Sequence, residues 1–477
     1  MKTPIHTQEQ PDGANPITHP VYHLQQLLQQ LPTRTQRPAP NQTLRQLLYA
    51  ELLAPTHKTI AQLERTHQPH RTHPRPAAYR LFQRYFQPDD AFHTLRLHTL
   101  QHCPPEQPYC VIADGTTVPR TGKSIPGAFW RQNPQNAPFA RGLRWAQSFV
   151  MLGALVPPDD GNARCVPIEW LPAFSQRCAR AQEGSRRSEI AGWIEGVRRV
   201  RATLDAAGRT QQLLVCVGDG RGDTKAWGTL LLPNTVCCAR ARRDSLWCDL
   251  PEAHTGRGRR RVYGARWWRP CEVWQGRTGW QMVQIHARGR AIRVPVRVLG
   301  PCRRKDWGAP VFFVILVRGR RKRRKREKTR APQAFWVQAV GDGQGGWQLP
   351  LALERLVGLL WQRWEIEVCF RSLKSGFGLG EKPCWGLVSG ERSVSWSAWV
   401  YGVLVLSGYR AWGWLRAGGE RRWTLREVLR DVRWGVLLEN WASGGCACGA
   451  GKGAKNGLCG CWWCREGLWI WLGAFRW

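Results

Sequence analysis

The chain has 477 residues, with 71 Lys and Arg against 34 Asp and Glu and a formal net charge of +37. That length predicts two or three folding units rather than one core, and a positive excess of this size, spread along the chain, predicts a polyanionic partner. There is no run of about eighteen apolar residues, which excludes a membrane-spanning helix. The polar start MKTPIHTQEQ does not read as a signal peptide, so a cytoplasmic protein acting at the nucleoid is the expectation.

Residues 1–38, rich in Pro, Gln and His, read as a flexible leader. Residues 39–105 continue as short amphipathic helices through NQTLRQLLYAELL, KTIAQLERT, AAYRLFQRYF and DDAFHTLRLHTLQH. They suit a small helical DNA-binding domain, the alternative being an accessory helical cap packed on the core of the protein. In FQPDDAF, Pro88 disfavours helix before it and Asp89 is placed to cap the next turn.

From residue 106 the pattern becomes strands. PYCVIADGTTV is an apolar run ending in an acid, and RWAQSFVMLGALVP and ARCVPIEWLPAF read as a hairpin meander beside it. A basic helix from Ser188 to Ala206 precedes the strand of QQLLVCVGDGRGD; a short helix through Trp227 and the strand NTVCCARAR close the unit near residue 240. The fragment RTGKS copies the end of a phosphate-binding loop but lacks its upstream glycine spacing and its strand–loop–helix context.

Residues 241–345 read as mainly β, with alternation in RVYGARWWRPCEVW, GWQMVQIHARGRAIRVPVRVLG and PVFFVILVRG. Within them, ten cations stand between Arg318 and Arg330 with only Glu327 opposing, and Arg320, Arg321, Lys322, Arg323, Arg324 and Lys325 form the densest part. Such a tract suits phosphate contact without base reading. Residues 346–415 turn helical. The remainder, 416–477, holds the amphipathic stretch ERRWTLREVLRDVRWGVLLENW and then Cys446, Cys448, Cys459, Cys461 and Cys464 in a Gly/Trp-rich tail. Those five thiols read as a candidate zinc cluster or simply as part of an unstructured tail. The other twelve of the 17 cysteines are scattered through apparent core segments and suit a reducing compartment.

Three acids carry the chemistry. Asp114 ends one buried strand and Asp219 another, each followed by glycine, a placement that suits hard divalent cations and close approach of a phosphate. Asp-Gly is also an ordinary turn signal. Asp219 is preferred over Asp223 because it follows the apolar run directly, whereas Asp223 is placed to cap the next short helix. In WQRWEIEVCFRSLKSGFG, steps of four, four and three residues put Arg363, Glu367, Arg371 and Lys374 on one face of a helix, with Ile366, Phe370 and Leu373 as a docking stripe. Glu365 lies about 200 degrees from Glu367 around that helix and is expected to point elsewhere. The competing reading is a surface helix with ordinary salt bridges.

In this order the three segments resemble the catalytic core of DDE transposases of the IS4-like superfamily. The Glu367 segment is similar to that superfamily's Tyr-two-Arg-three-Glu-six-Lys signature, with Arg363, Glu367 and Lys374 in the matching places and Leu360 where the pattern has tyrosine. The resemblance covers roughly residues 85 to 400. It implies an α/β fold with a ribonuclease-H-like catalytic core over 106–240 and 346–415, an inserted mainly β subdomain over 241–345 and a small helical N-terminal domain. It implies cut-and-paste transposition with Asp114, Asp219 and Glu367 as ligands of two Mg²⁺ ions, Mn²⁺ being a substitute. The implied partners are double-stranded DNA with terminal inverted repeats, target DNA and a second copy of the chain in a synaptic complex, with no membrane. Two alternatives share the same residues: a metal-dependent DNA nuclease without strand transfer, and an inactive or domesticated DNA-binding protein.

Overall fold

The computed structural model describes residues 19–29, 38–54, 57–67, 76–132, 142–157, 161–178, 180–252, 261–319, 331–413 and 422–442. The cationic residues Arg320 to Lys325 and the cysteines Cys446, Cys448, Cys459, Cys461 and Cys464 lie outside them. Among the described residues, no helix is long and apolar enough to cross a membrane.

The described residues up to 100 are helical: α1 (Pro20–Gln29), α2 (Pro38–Leu53), α3 (Ile60–His67), α4 (Pro76–Arg80), which runs into a π turn at Leu81–Tyr85, and α5 (Pro88–Leu100). Within the flexible leader expected over residues 1–38, the described residues 20–29 form α1 instead, whose Leu24, Leu27 and Leu28 recur at helical spacing and are buried; residues 1–18 and 30–37 lie outside the described residues. A second correction concerns α5. Gln87 takes the N-cap position without a side-chain cap, while Asp89 reaches Arg199 at 2.8 Å.

A mixed sheet comes next. Its strands are β1 (Tyr109–Pro119), β2 (Phe129–Gln132), β3 (Leu143–Val156), β4 (Arg164–Pro172), then, across helix α6 (Glu189–Ala206), β5 (Leu214–Gly218), and after the short α7 (Lys225–Gly228), β6 (Thr235–Ala241). Strands β4, β3 and β1 pair antiparallel, whereas β5 pairs parallel with β1 and β6 parallel with β5. The apolar, β-branched runs of β1 and β5 suit strands covered on both faces, and all five residues of β5 are buried. Ser188 caps α6 by accepting a hydrogen bond from the Ala191 N–H at 3.1 Å.

The chain continues through β7 (Trp247–Asp249), β8 (Trp267–Trp268), α8 (Pro270–Val273), β9 (Gln281–Ala287), β10 (Arg290–Arg304), β11 (Phe312–Val317), β12 (Gln333–Gln338) and the small hairpin β13 (Val340–Gly341) and β14 (Trp347–Gln348). This stretch is less separate than an inserted subdomain suggests. β12 pairs antiparallel with β6, so one sheet runs β2-β3-β1-β5-β6-β12-β11-β10-β7-β8, with β4 on β3 and β9 on β10. The architecture is mixed α/β, a large sheet flanked by helices.

Helices α9 (Leu353–Gln362), α10 (Glu365–Gly376), α11 (Leu387–Trp412) and α12 (Leu425–Ala442) complete the chain. Ile366, Cys369, Phe370 and Leu373 of α10 are buried, each worth roughly 1.5–3 kcal/mol against exposure. The single helix expected through Arg363 and Glu367 is instead α9 and α10 joined by a tightened turn. Ile366 N donates to Arg363 O at 3.2 Å and Glu367 N to Trp364 O at 3.1 Å, bonds that span three residues rather than four.

Candidate active site

The site begins at the parallel pair of β1 and β5. Their register ends with Ala113 opposite Gly218, so the next residue on each strand is an acid, Asp114 and Asp219. Asp114 Oδ1 accepts the Gly115 N–H at 2.7 Å, and Asp219 Oδ1 accepts the Arg221 N–H at 2.9 Å, which starts a short 3₁₀ turn. From the other side Arg363 reaches in between α9 and α10. Its Nη1 lies 3.8 Å from Asp114 Oδ2 and its Nη2 2.9 Å from Glu367 Oε1. One guanidinium thus links the acid of β1 to the acid of α10.

The charges respond to this crowding. Burial first, and then the neighbouring charge of Asp219, push the Asp114 carboxyl up to about 7, against the pull of Arg363, the Gly115 N–H and Arg221. Lys374 belongs to the same field: burial and then Arg144 hold its ammonium below the ordinary lysine value, while Asp114 pulls it up. Arg371 is exposed on α10.

A fourth acid stands at the edge. Glu189, in the first turn of α6, pairs with Arg221 and accepts from Ser148 Oγ at 3.2 Å. A Cβ on Gly115 would meet Glu189 Oε2 at 2.7 Å, so a larger residue there would make this carboxylate shift. Arg221 is stabilised as a cation, against the cost of burial, by Glu189 and then by Asp219 and Asp114. Sequence reading passed over both residues: Arg221 was visible within GDGRGDT, but nothing in the pattern marked its partner on α6.

No family model matches the chain, and no curated protein does. Among solved structures, a cryo-EM structure of a piggyBac transposase synaptic complex with hairpin DNA aligns over 95% of this chain and 82% of that one, with 7% identity and a TM-score of 0.41. A likeness that distant adds no weight, and the site's own residues must carry the reading.

The acids excluded from the site have structural partners. Glu365 is buried and bonded to Arg422 at 2.8 Å and to Arg288 at 3.1 Å. Burial alone would raise its carboxyl; hydrogen bonding and charge from Arg422, then Arg288, outweigh that and hold it below the ordinary range. Asp223 does not cap α7, whose N-cap is Thr224. It is fully buried, binds Arg304 at 2.6 Å and accepts the Arg242 N–H at 2.9 Å. Among the described residues no three acidic, histidine or cysteine side chains form a ready metal-binding group, and at Asp114 and Glu367 the intervening group is Arg363. The donor chemistry nonetheless fits a hard divalent cation, because carboxylate oxygens are its ordinary ligands and the charge crowding at Asp114 is what such an ion relieves.

Proposed function

We propose that the chain is a cut-and-paste DNA transposase, which cleaves transposon ends and joins their 3′-hydroxyls to target DNA. The observation that carries this reading is the approach of Asp114 and Asp219 on adjacent parallel strands, tied through Arg363 to Glu367 on a separate helix. The acids sit in a protein whose net charge is +37, a charge that draws a polyanion to the protein.

Asp114, Asp219 and Glu367 are the residues that would hold Mg²⁺, which when bound lowers the pKa of an attacking water or 3′-hydroxyl and neutralises charge on the leaving oxygen. The cations beside them do the binding. Arg363 offers a planar fork to a phosphate, with its Nη1 buried and without a hydrogen-bond partner among the described residues. Lys374 adds a point charge that stabilises negative charge without changing its own protonation. Glu189 keeps Arg221 turned toward the acids, where it can meet the strand beyond the scissile phosphate.

The test is incubation of purified protein with Mg²⁺, a DNA fragment carrying the element's own ends and a supercoiled plasmid. Covalently joined product that requires a free 3′-hydroxyl is the expected result. Nicking or cutting without joining points to the nuclease, and retained DNA binding without metal-dependent cleavage points to a domesticated copy. Equal transfer of a 3′-deoxy end would falsify the strand-transfer mechanism outright.

A further inference from the structure

A cavity of about 500 Å³ opens next to the Asp219 turn. It is lined by Gly220, Arg240, Arg242, Arg243, Trp274 and Gln333, among others, with Asp244 its only acid. Its volume falls within the range of ligand cavities. Gly220 directly follows Asp219, so the cavity starts one residue from the candidate active site. Its far wall, beginning at Ala331, is where the chain returns from the cationic stretch that ends at Arg330.

Arg240, Arg242 and Arg243 are exposed at the end of β6 and just beyond it. Three guanidiniums so close together repel one another, and the backbone that carries them is braced. The Arg242 N–H is bound by buried Asp223 at 2.9 Å, and the Arg243 carbonyl accepts the Cys271 N–H of α8 at 3.0 Å. Trp274, one residue past α8, lines the cavity, and its indole N–H is buried with no acceptor among the described residues. A concave wall that carries three arginines on a braced backbone, beside a donor lacking an acceptor, suits an oxyanion.

We infer that this cavity is a phosphodiester subsite, which grips the DNA strand as it leaves the acids on the Asp219 side. The inference rests on the proposal that the acids act on DNA, and it adds the direction in which one strand runs. Arg242 and Arg243 bind phosphate oxygens as charge-assisted donors, and the strand passes between β6 and α8 without its bases being read.

The experiment measures binding of a fluorescently labelled duplex of arbitrary sequence to the full chain across a range of salt concentrations. Arg242→Gln and Arg243→Gln are compared with Arg198→Gln, an exposed arginine on α6 remote from the cavity lining. Each cavity variant is expected to weaken binding roughly tenfold and to reduce the slope of log affinity against log salt by about one, as loss of one phosphate contact does. Arg198→Gln should change little, and Arg243→Lys should restore most of the slope because it restores the charge. Cavity variants that behave like Arg198→Gln overturn the subsite while leaving DNA binding intact. A wild-type chain that binds no duplex overturns the parent reading as well.

Discussion

Two pairs of acids, each a few residues apart, fare in opposite ways. Glu365 and Glu367 share α10, yet Glu365 is sealed between Arg288 and Arg422 while Glu367 faces the site with Arg363 alone. Asp219 and Asp223 share the GDGRGD turn, yet Asp223 is locked to Arg304 and Asp219 only shapes its own turn. An acid whose hydrogen-bonding capacity is consumed by fixed partners is structural. One left with spare lone pairs beside other carboxylates is available for chemistry.

The sharpest way to test that division is cleavage. Asp219→Asn and Glu367→Gln should lower DNA cleavage in Mg²⁺ by at least about a hundredfold, the scale of losing a group that stabilises transition-state charge, with duplex binding nearly unchanged. Glu365→Gln and Asp223→Asn should retain cleavage per folded molecule. Equal losses in Glu365→Gln and Glu367→Gln would dissolve the contrast.

Stability should sort the same residues in reverse. Glu365→Gln leaves two guanidiniums facing a neutral amide and should cost about 3 kcal/mol in denaturant unfolding, the scale of breaking a buried ion pair. Asp223→Asn keeps an acceptor for the Arg242 N–H but strands Arg304, so a loss of about 2 kcal/mol is expected. Glu367→Gln, half-exposed and singly paired, should move the midpoint little.

The smallest effect concerns pH in metal-free protein. Because the folded Asp114 carboxyl is raised to about 7, the folded chain keeps a proton that the unfolded chain has released. The contribution of this group to stability is therefore fully present below the ordinary aspartate range and is lost as pH rises toward 7. Asp114→Asn should flatten the stability profile between about pH 4 and pH 7, and an unchanged slope would show that burial and Asp219 do not raise the Asp114 carboxyl.

Much of this was legible in the sequence because it depends on short-range pattern. Apolar runs ending in Asp114 and Asp219 marked the two acids, although β1 runs on to Pro119 and only Asp219 directly follows a strand end, and the helical period separated Glu365 from Glu367 and placed Arg363 against Glu367. What escaped notice depends on distant partners. Asp223 finds Arg304 at a separation of 81 residues, and a local reading could only make it a cap. The burial of α1 follows from helices near the other end of the chain, α11 and α12, against which it packs. Glu189 enters the site only because α6 crosses back over the sheet, a consequence of topology rather than of local composition.

The pairing of β12 with β6 has a mechanical consequence. Backbone hydrogen bonds running from Ala334 opposite Ala241 to Val337 opposite Cys238 join the later strands to those that carry Asp114 and Asp219 in one continuous fabric. The later strands cannot swing like a flap on a hinge without unzipping that seam. If the chain cleaves DNA as proposed, a duplex held by both parts would be clamped at a fixed offset from the acids, and the sheet would act as a ruler that sets the position of the cut.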